Sequence, residues 1–156
     1  SYLENSYLIF TVPRFSYSYK KQLVNPKKAY SIDNGLSNAN SVTFTKDKGK
    51  MLENAVFLEL KRRYSEIFYY QDNNECDFII KEKNILRAIQ VCYELNDENE
   101  KREINGLLEA LKQLKLNKGL ILTYEQEDRY SIEGKEIIVM PVWKWLISLA
   151  EQVIVT

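Results

Sequence analysis

The chain contains no histidine, so nucleophile arrangements of the Ser-His-Asp or Cys-His kind, which need imidazole as general base, are unavailable to it. Its two cysteines, Cys76 and Cys92, make no disulfide framework, and without histidine the usual zinc ligand sets are excluded. Hydrolytic chemistry would therefore have to come from carboxylates and a metal ion. The residues that could supply it are Glu53, Asp77, Gln90 and Cys92. Glu53 falls in a helical pattern, Asp77 in an apolar β-favouring run, and Gln90 and Cys92 stand two apart in the next such run. Side chains alternate along a strand, so Gln90 and Cys92 point to one face and can share a site with Asp77. There is no GxxxxGK[ST], GxGxxG or HExxH run, which removes phosphate loops and zincin sites from this chain.

The elements that must position these residues are legible in outline. KMLENAVFLELKRR, Lys50 to Arg63, is rich in helix formers, has no breaker, and ends on cations as the helix dipole prefers. Glu53, Val56, Phe57 and Leu60 share one stripe of it, which sets a carboxylate among apolar side chains and requires that it find a partner. IFYYQ, ECDFIIKEK and ILRAIQVCY read as a three-strand meander with polar turns at Asn73-Asn74 and Lys81 to Asn84. KREINGLLEALKQLKL repeats Ile104, Leu107, Leu108, Leu111 and Leu114 at helical spacing, GLILTYE is a buried strand, and EIIVMP is a strand stopped by Pro141. VWKWLISLA is a closing helix with Trp143, Leu146, Ile147 and Ala150 along one face. A strand feeding a helix and then another strand implies a right-handed parallel crossover, hence a mixed sheet with helices on both faces.

Ahead of this core the text changes character. After a short helical start, Phe15, Tyr17 and Tyr19 alternate at the period of a strand. KKAYS, after Pro26, reads as a short strand ending in a turn at Asp33, Asn34 and Gly35, and Ser37 to Asp47 as a polar loop. Between Glu4 and Asp33 there is no acid, while Arg14, Lys20, Lys21, Lys27 and Lys28 all fall there. That makes residues 1–48 a basic-aromatic extension packed on a core of 49–156, and the five cations the candidate nucleic-acid contacts, with tyrosines available to stack on bases.

Bulk properties bound the rest. One core is the default for 156 residues. Lys and Arg (22) balance Asp and Glu (22), so no global field draws the chain to nucleic acid or anionic lipid. No apolar run approaches the ~18 residues of a membrane span and no signal-peptide order is present; a cytoplasmic setting with no membrane partner is expected. Beginning at Ser1 rather than Met, the chain reads as a fragment of a longer protein.

The helix glutamate, the ECDF strand and the Q-x-C strand resemble the PD-(D/E)XK, restriction-endonuclease-like superfamily. LENAVFLELKRR, ECDFII, AIQVCYEL, REINGLLEALKQL and MPVWKWL, with PRFSYSYKKQLVNPKKAYSID before them, resemble the uncharacterised C-terminal domain of archaeal and bacterial AAA-type (P-loop) ATPases. The resemblance implies a restriction-endonuclease-like α/β core of helix, meander, helix and strand, joined to an N-terminal ATPase region of the same parent chain. It also implies that Asp77 and Glu53 stand where acids hold Mg²⁺, while Gln90 and Cys92 replace the acid and the lysine of E-x-K.

A glutamine is a weaker ligand and a thiol offers no permanent cation, so the expectation is a non-catalytic domain serving DNA or partner binding, with no cofactor required. Two alternatives stay open: a working Mg²⁺-dependent nuclease built on Glu53, Asp77 and Gln90 with a lysine displaced from elsewhere (Lys50, Lys61 or Arg62 as the substitute cation), and a protein-docking module with no nucleic-acid role. The residues also have plainer readings, Glu53 as half of an ion pair and Gln90 and Cys92 as core.

Overall fold

A computed structural model describes residues 8–33 and 46–154 of the chain. Strands β1 (Ile9–Pro13) and β2 (Lys27–Ser31) pair antiparallel, Ile9 opposite Ser31 and Pro13 opposite Lys27. Between them runs a short helix, α1 (Tyr19–Val24), where alternating aromatics predicted extended structure as far as Tyr19. The chain turns there because the Ser18 carbonyl accepts the Gln22 N–H and the Gln22 side chain reaches back to the Ser16 carbonyl. None of the α1 residues is buried, so a strand at this point would have had no face to cover. The expected helical start, the turn residues Asn34 and Gly35, and 37–45 of the polar loop lie outside the described residues.

Helix α2 (Lys46–Arg63) begins ahead of the predicted Lys50, absorbing Gly49, whose cost of roughly 1 kcal/mol relative to alanine does not stop a helix this long. The meander follows as predicted: β3 (Glu66–Gln71), β4 (Glu75–Glu82) and β5 (Ile85–Val91), antiparallel in turn. Helix α3 (Glu100–Gln113) then carries the chain to β6 (Lys118–Thr123), which lies parallel to β5. Beyond it, β7 (Asp128–Ile132) and β8 (Lys135–Pro141) form a hairpin, and α4 (Val142–Ile154) closes the fold.

The result is a mixed six-stranded sheet in the order β3-β4-β5-β6-β8-β7, flanked by helices. Strand β7 was not among the predicted elements, because DRYSI carries only two apolar residues, Tyr130 and Ile132, too short an alternation to stand out. The signal for it was the pair Glu133-Gly134, both at positive φ (50° and 72°), as a primed two-residue hairpin turn requires.

Alternating strand side chains feed two apolar layers. On one face Phe78, Ile80, Ile89, Val91 and Leu122 pack with Val56, Phe57 and Leu60 of α2, Val12 and Tyr30 of the β1–β2 hairpin, and Trp145 of α4. On the other, Ile79, Ala88, Ile121, Ile137 and Val139 pack with Ile104, Leu107, Ala110 and Leu111 of α3. Each fully buried leucine of α3 contributes about 1.5–3 kcal/mol. For α4 the predicted stripe points outward. Trp143, Leu146 and Ile147 are exposed while Trp145 is buried and Val142 packs beside it on the core, because apolar residues occupy more of this helix than one face can bury and periodicity alone does not choose among them. Ala150 falls among residues whose side chains are not described.

One glycine sets the spacing of the α3 layer. A Cβ at Gly106 would stand 2.1 Å from the Glu75 carbonyl oxygen, so only glycine lets α3 lie this close to the start of β4, next to the residues of interest.

Candidate functional site

The sheet presents one end of β4 and β5 to a cleft of about 1140 Å³ between α2 and the N-terminal part of α3. Glu53, Asp77, Gln90 and Cys92 all line this cleft. They do not form one cluster. Asp77 and Glu53 belong to a charged group with β2, and Gln90 and Cys92 are turned to α3.

Asp77 is buried. Its Oδ2 accepts the Val91 N–H at 2.9 Å, and its Oδ1 accepts from the Lys28 ammonium at 3.0 Å. Lys28 also reaches Glu53 Oε1 at 3.4 Å and Glu75 Oε1 at 2.5 Å. The ammonium thus has three carboxylates for its three N–H donors, and it lies 5.7 Å from the centre of the Tyr69 ring. Glu53 Oε1 accepts a further bond from the Tyr30 hydroxyl at 2.7 Å. The partner required by a glutamate on an apolar stripe is therefore the pair Lys28 and Tyr30, two residues apart on β2 and so on one face of it.

Burial opposes the charge on Lys28, but Asp77, Glu53 and Glu75 together outweigh it and hold the ammonium above its ordinary pKa. At Asp77 burial is the dominant influence and the Glu53 charge adds to it; Lys28 and the Val91 N–H pull the other way, and the carboxyl is pushed up to about 7. Tyr30 is raised well beyond the ordinary phenol range by burial and by Glu53, so it serves as a neutral donor.

Lys28, expected among the nucleic-acid contacts, is drawn into this acid cluster. Its place in the cluster is built by the hairpin. Asn54, next to Glu53 on α2, clamps Ser31 by accepting its N–H at 2.9 Å and donating to its carbonyl at 3.1 Å. The Tyr69 hydroxyl donates to the Pro26 carbonyl at 2.8 Å, and the Phe15 N–H donates to the Tyr69 carbonyl at 2.7 Å. Tyr30 stacks on Phe57 at 4.3 Å between centroids. Both ends of β2 are thereby fastened, with Lys28 between them.

Of the other basic residues in the extension, Lys20, Lys21 and Lys27 are exposed and Arg14 is half-buried beside Tyr69. The cations weighed as displaced lysines lie elsewhere: Lys50 lines the cleft, Lys61 lies over the Phe10 ring, and Arg62 pairs with Glu59.

Gln90 carries out structural bonding. Its Oε1 accepts the Asp77 N–H at 3.1 Å, and its Nε2 donates to Glu103 Oε2 at 2.6 Å. The β4–β5 ladder ends at Phe78 opposite Ile89, so these side-chain bonds, with that from Val91 to Asp77, continue the pairing after the main chains part. Glu103 is itself buried and paired with Arg102. Cys92 packs in the α3 layer, where burial and then the Glu103 charge push its thiol up to about 12, far from a nucleophile or metal ligand at neutral pH.

Sequence reasoning missed Glu75, Tyr30 and Glu103, and gave Lys28 a different partner. The first was detectable, since Glu75 and Asp77 stand two apart on one strand, and so was the KxY spacing of Lys28 and Tyr30.

Mg²⁺ wants oxygens gathered at about 2.1 Å around it in near-octahedral array. Among the described residues no three Asp, Glu or Cys side chains are so arranged. The oxygens of Glu53, Glu75 and Asp77 surround an ammonium instead. In this arrangement the residues do not fit the ion that the nuclease resemblance implies.

A family model described as "Domain of unknown function (DUF4143)" matches residues 48–145. The chain is 43% identical over 158 residues to an uncharacterised protein of Methanocaldococcus jannaschii, an alignment covering 94% of this chain and 35% of that protein. It is 29% identical over 142 residues to an uncharacterised protein of Haemophilus influenzae, covering 90% and 34% respectively. The chain thus spans about a third of the length of these curated relatives. Among the described residues no helix is long and apolar enough to cross a membrane. The matched residues take in α2, the meander, α3 and β6 to β8, and with them Glu53, Asp77, Gln90 and Cys92: the chain belongs to the family defined by the domain of unknown function DUF4143.

Proposed function

We propose that this chain is a restriction-endonuclease-like domain that does not cleave, and that it gives a longer P-loop ATPase a contact with nucleic acid. The observation that carries the reading is the bonding of Gln90. At the position of the E-x-K acid stands an amide whose two ends are spent on Asp77 and Glu103, and at the lysine position stands a thiol packed in the core. The order of helix, antiparallel meander, helix and parallel strand supports the fold assignment. The coverage of a third of the relatives leaves room in such proteins for a motor region.

For contact with nucleic acid, the supporting feature is the arm around α1. Tyr17 and Tyr19 are 81% and 73% exposed beside exposed Lys20 and Lys21. Tyr17 lies edge-on to Phe15, and Phe15 edge-on to Phe68 of β3, which links the arm to the core. Aromatic rings with neighbouring cations suit single strands. Binding measured across salt concentrations tests this, because phosphate contacts give a steep fall in affinity with salt; absent or salt-insensitive binding would refute it.

A working Mg²⁺-dependent nuclease is the second reading, favoured by one observation: Lys28, a cation from elsewhere in the chain, stands 3.0 Å from Asp77. Plasmid and branched DNA incubated with Mg²⁺ or Mn²⁺, beside Asp77→Ala, separates the two. Cleavage by the unsubstituted protein that Asp77→Ala abolishes would establish the second and sink the first. The exposed Trp143, Leu146 and Ile147 of α4 support the remaining alternative, a protein-docking module, which insensitivity to nucleic acid would favour.

A further inference from the structure

The cleft gathers three carboxylates and seats a lysine among them. Three carboxylates from two elements, Glu53 on α2 with Glu75 and Asp77 on β4, converge on one ammonium. Without a cation at their centre, three acids this close would repel each other strongly in a partly buried site. An ammonium answers them with one charge and three donors, a metal ion with two charges and open coordination. Both cannot occupy the centre.

We propose that Lys28 is a tethered replacement for a metal ion, the resident cation of the Glu53, Glu75 and Asp77 carboxylates, and that it fastens the β1–β2 hairpin to the core at a position a divalent ion can take only when the lysine is gone. The tether is short and fixed. Asn54 and Tyr69 hold the two ends of β2, and Tyr30, two residues on, is stacked on Phe57 and bonded to Glu53. A lysine so placed is at high effective concentration and is not displaced by millimolar ions in free solution. The hairpin and the cluster depend on each other: the hairpin delivers the ammonium, and the ammonium relieves the acids. The inference rests on the non-cleaving reading only in naming the ion that is replaced.

The test is thermal unfolding of the full chain, with EDTA and with Mg²⁺ or Mn²⁺ added as chlorides. For the unsubstituted protein the melting temperature should be the same in EDTA and in millimolar Mn²⁺. Lys28→Met keeps the length of the stem and removes the charge. It should melt lower by on the order of 10 °C in EDTA and recover a substantial part of that loss as Mn²⁺ is added. Adding Asp77→Asn to Lys28→Met removes one acid, and should raise the melting temperature in EDTA while blunting the recovery.

A metal-dependent rise in the unsubstituted protein as large as in Lys28→Met overturns the proposal. So does a Lys28→Met protein that loses no stability or ignores the metal. Should Lys28→Met fail to fold at any metal concentration, a folded Lys28→Met/Asp77→Asn protein identifies the uncompensated acids as the cause and supports the proposal. Failure of both variants alike overturns it. None of these readouts depends on DNA cleavage, so the proposal and the functional reading can fail separately.

Discussion

The side-chain carbonyl of Gln90 accepts the main-chain N–H of Asp77 at 3.1 Å, while the main-chain N–H of Val91 donates to the Asp77 carboxylate at 2.9 Å. Where β4 and β5 part, a side chain from each strand thus bonds the other's backbone. The same glutamine then bonds Glu103 at 2.6 Å. An amide can do both because one end accepts and the other donates.

Gln90→Glu should therefore destabilise the protein. A carboxylate at 90 keeps the acceptor for Asp77 N–H but faces Glu103 with no donor, at a cost of roughly 1–3 kcal/mol. Urea midpoints should fall for Gln90→Glu and not for a substitution of exposed Glu98; an unchanged midpoint in Gln90→Glu would contradict the arrangement.

Asn54→Ala removes both bonds to Ser31 and should release the hairpin rather than the core. The expected cost is about 1–3 kcal/mol. Amide hydrogen exchange should accelerate over β1 and β2 and stay unchanged in β5 and β6, where pairing does not involve Asn54. Uniform acceleration would mean that hairpin and core open together.

Two glycine substitutions should have opposite signs. At Gly49 a Cβ meets nothing within 4 Å, so Gly49→Ala should stabilise α2 by roughly 0.5–1 kcal/mol. At Gly106 the added carbon lands 2.1 Å from Glu75 O. There the gain in helix propensity is overwhelmed, and Gly106→Ala should destabilise by roughly 1–3 kcal/mol or more as α3 is forced off β4. Denaturant midpoints of the two proteins decide it.

The pH dependence follows from Asp77. Its carboxyl is raised in the fold from 3.8 to about 7, so the folded state holds that proton more tightly than the unfolded chain. The contribution of this group to stability is fully present below about pH 3.8 and is lost as pH rises through 7. Relative to Asp77→Asn, the unsubstituted protein should lose stability between those values, as measured by unfolding across the range. A constant difference between the two would show that Asp77 titrates alike folded and unfolded.

The sequence by itself determined the elements whose patterns are local. The helix from Lys50 to Arg63, the three-strand meander, the amphipathic run Ile104 to Leu114 and the strand ended by Pro141 are read from spacing of 3.6 or 2, and the parallel crossover follows from their order. Glu53, Asp77, Gln90 and Cys92 line one cleft because strand parity and helix phase already constrain which way side chains point.

What each of those residues does was decided by tertiary structure. Lys28 belongs to the acids because the hairpin folds back onto α2 and β4, bringing it to Asp77 across 49 positions of sequence. Gln90 links Asp77 to Glu103 because Glu103 arrives from α3. The inner side of α4 is Trp145 because the helix has more apolar residues than one face can bury, and only packing selects among them. Local periodicity encodes where a side chain points along its own element. The charge it meets there is supplied by another element, so its chemistry is set only once the chain has folded.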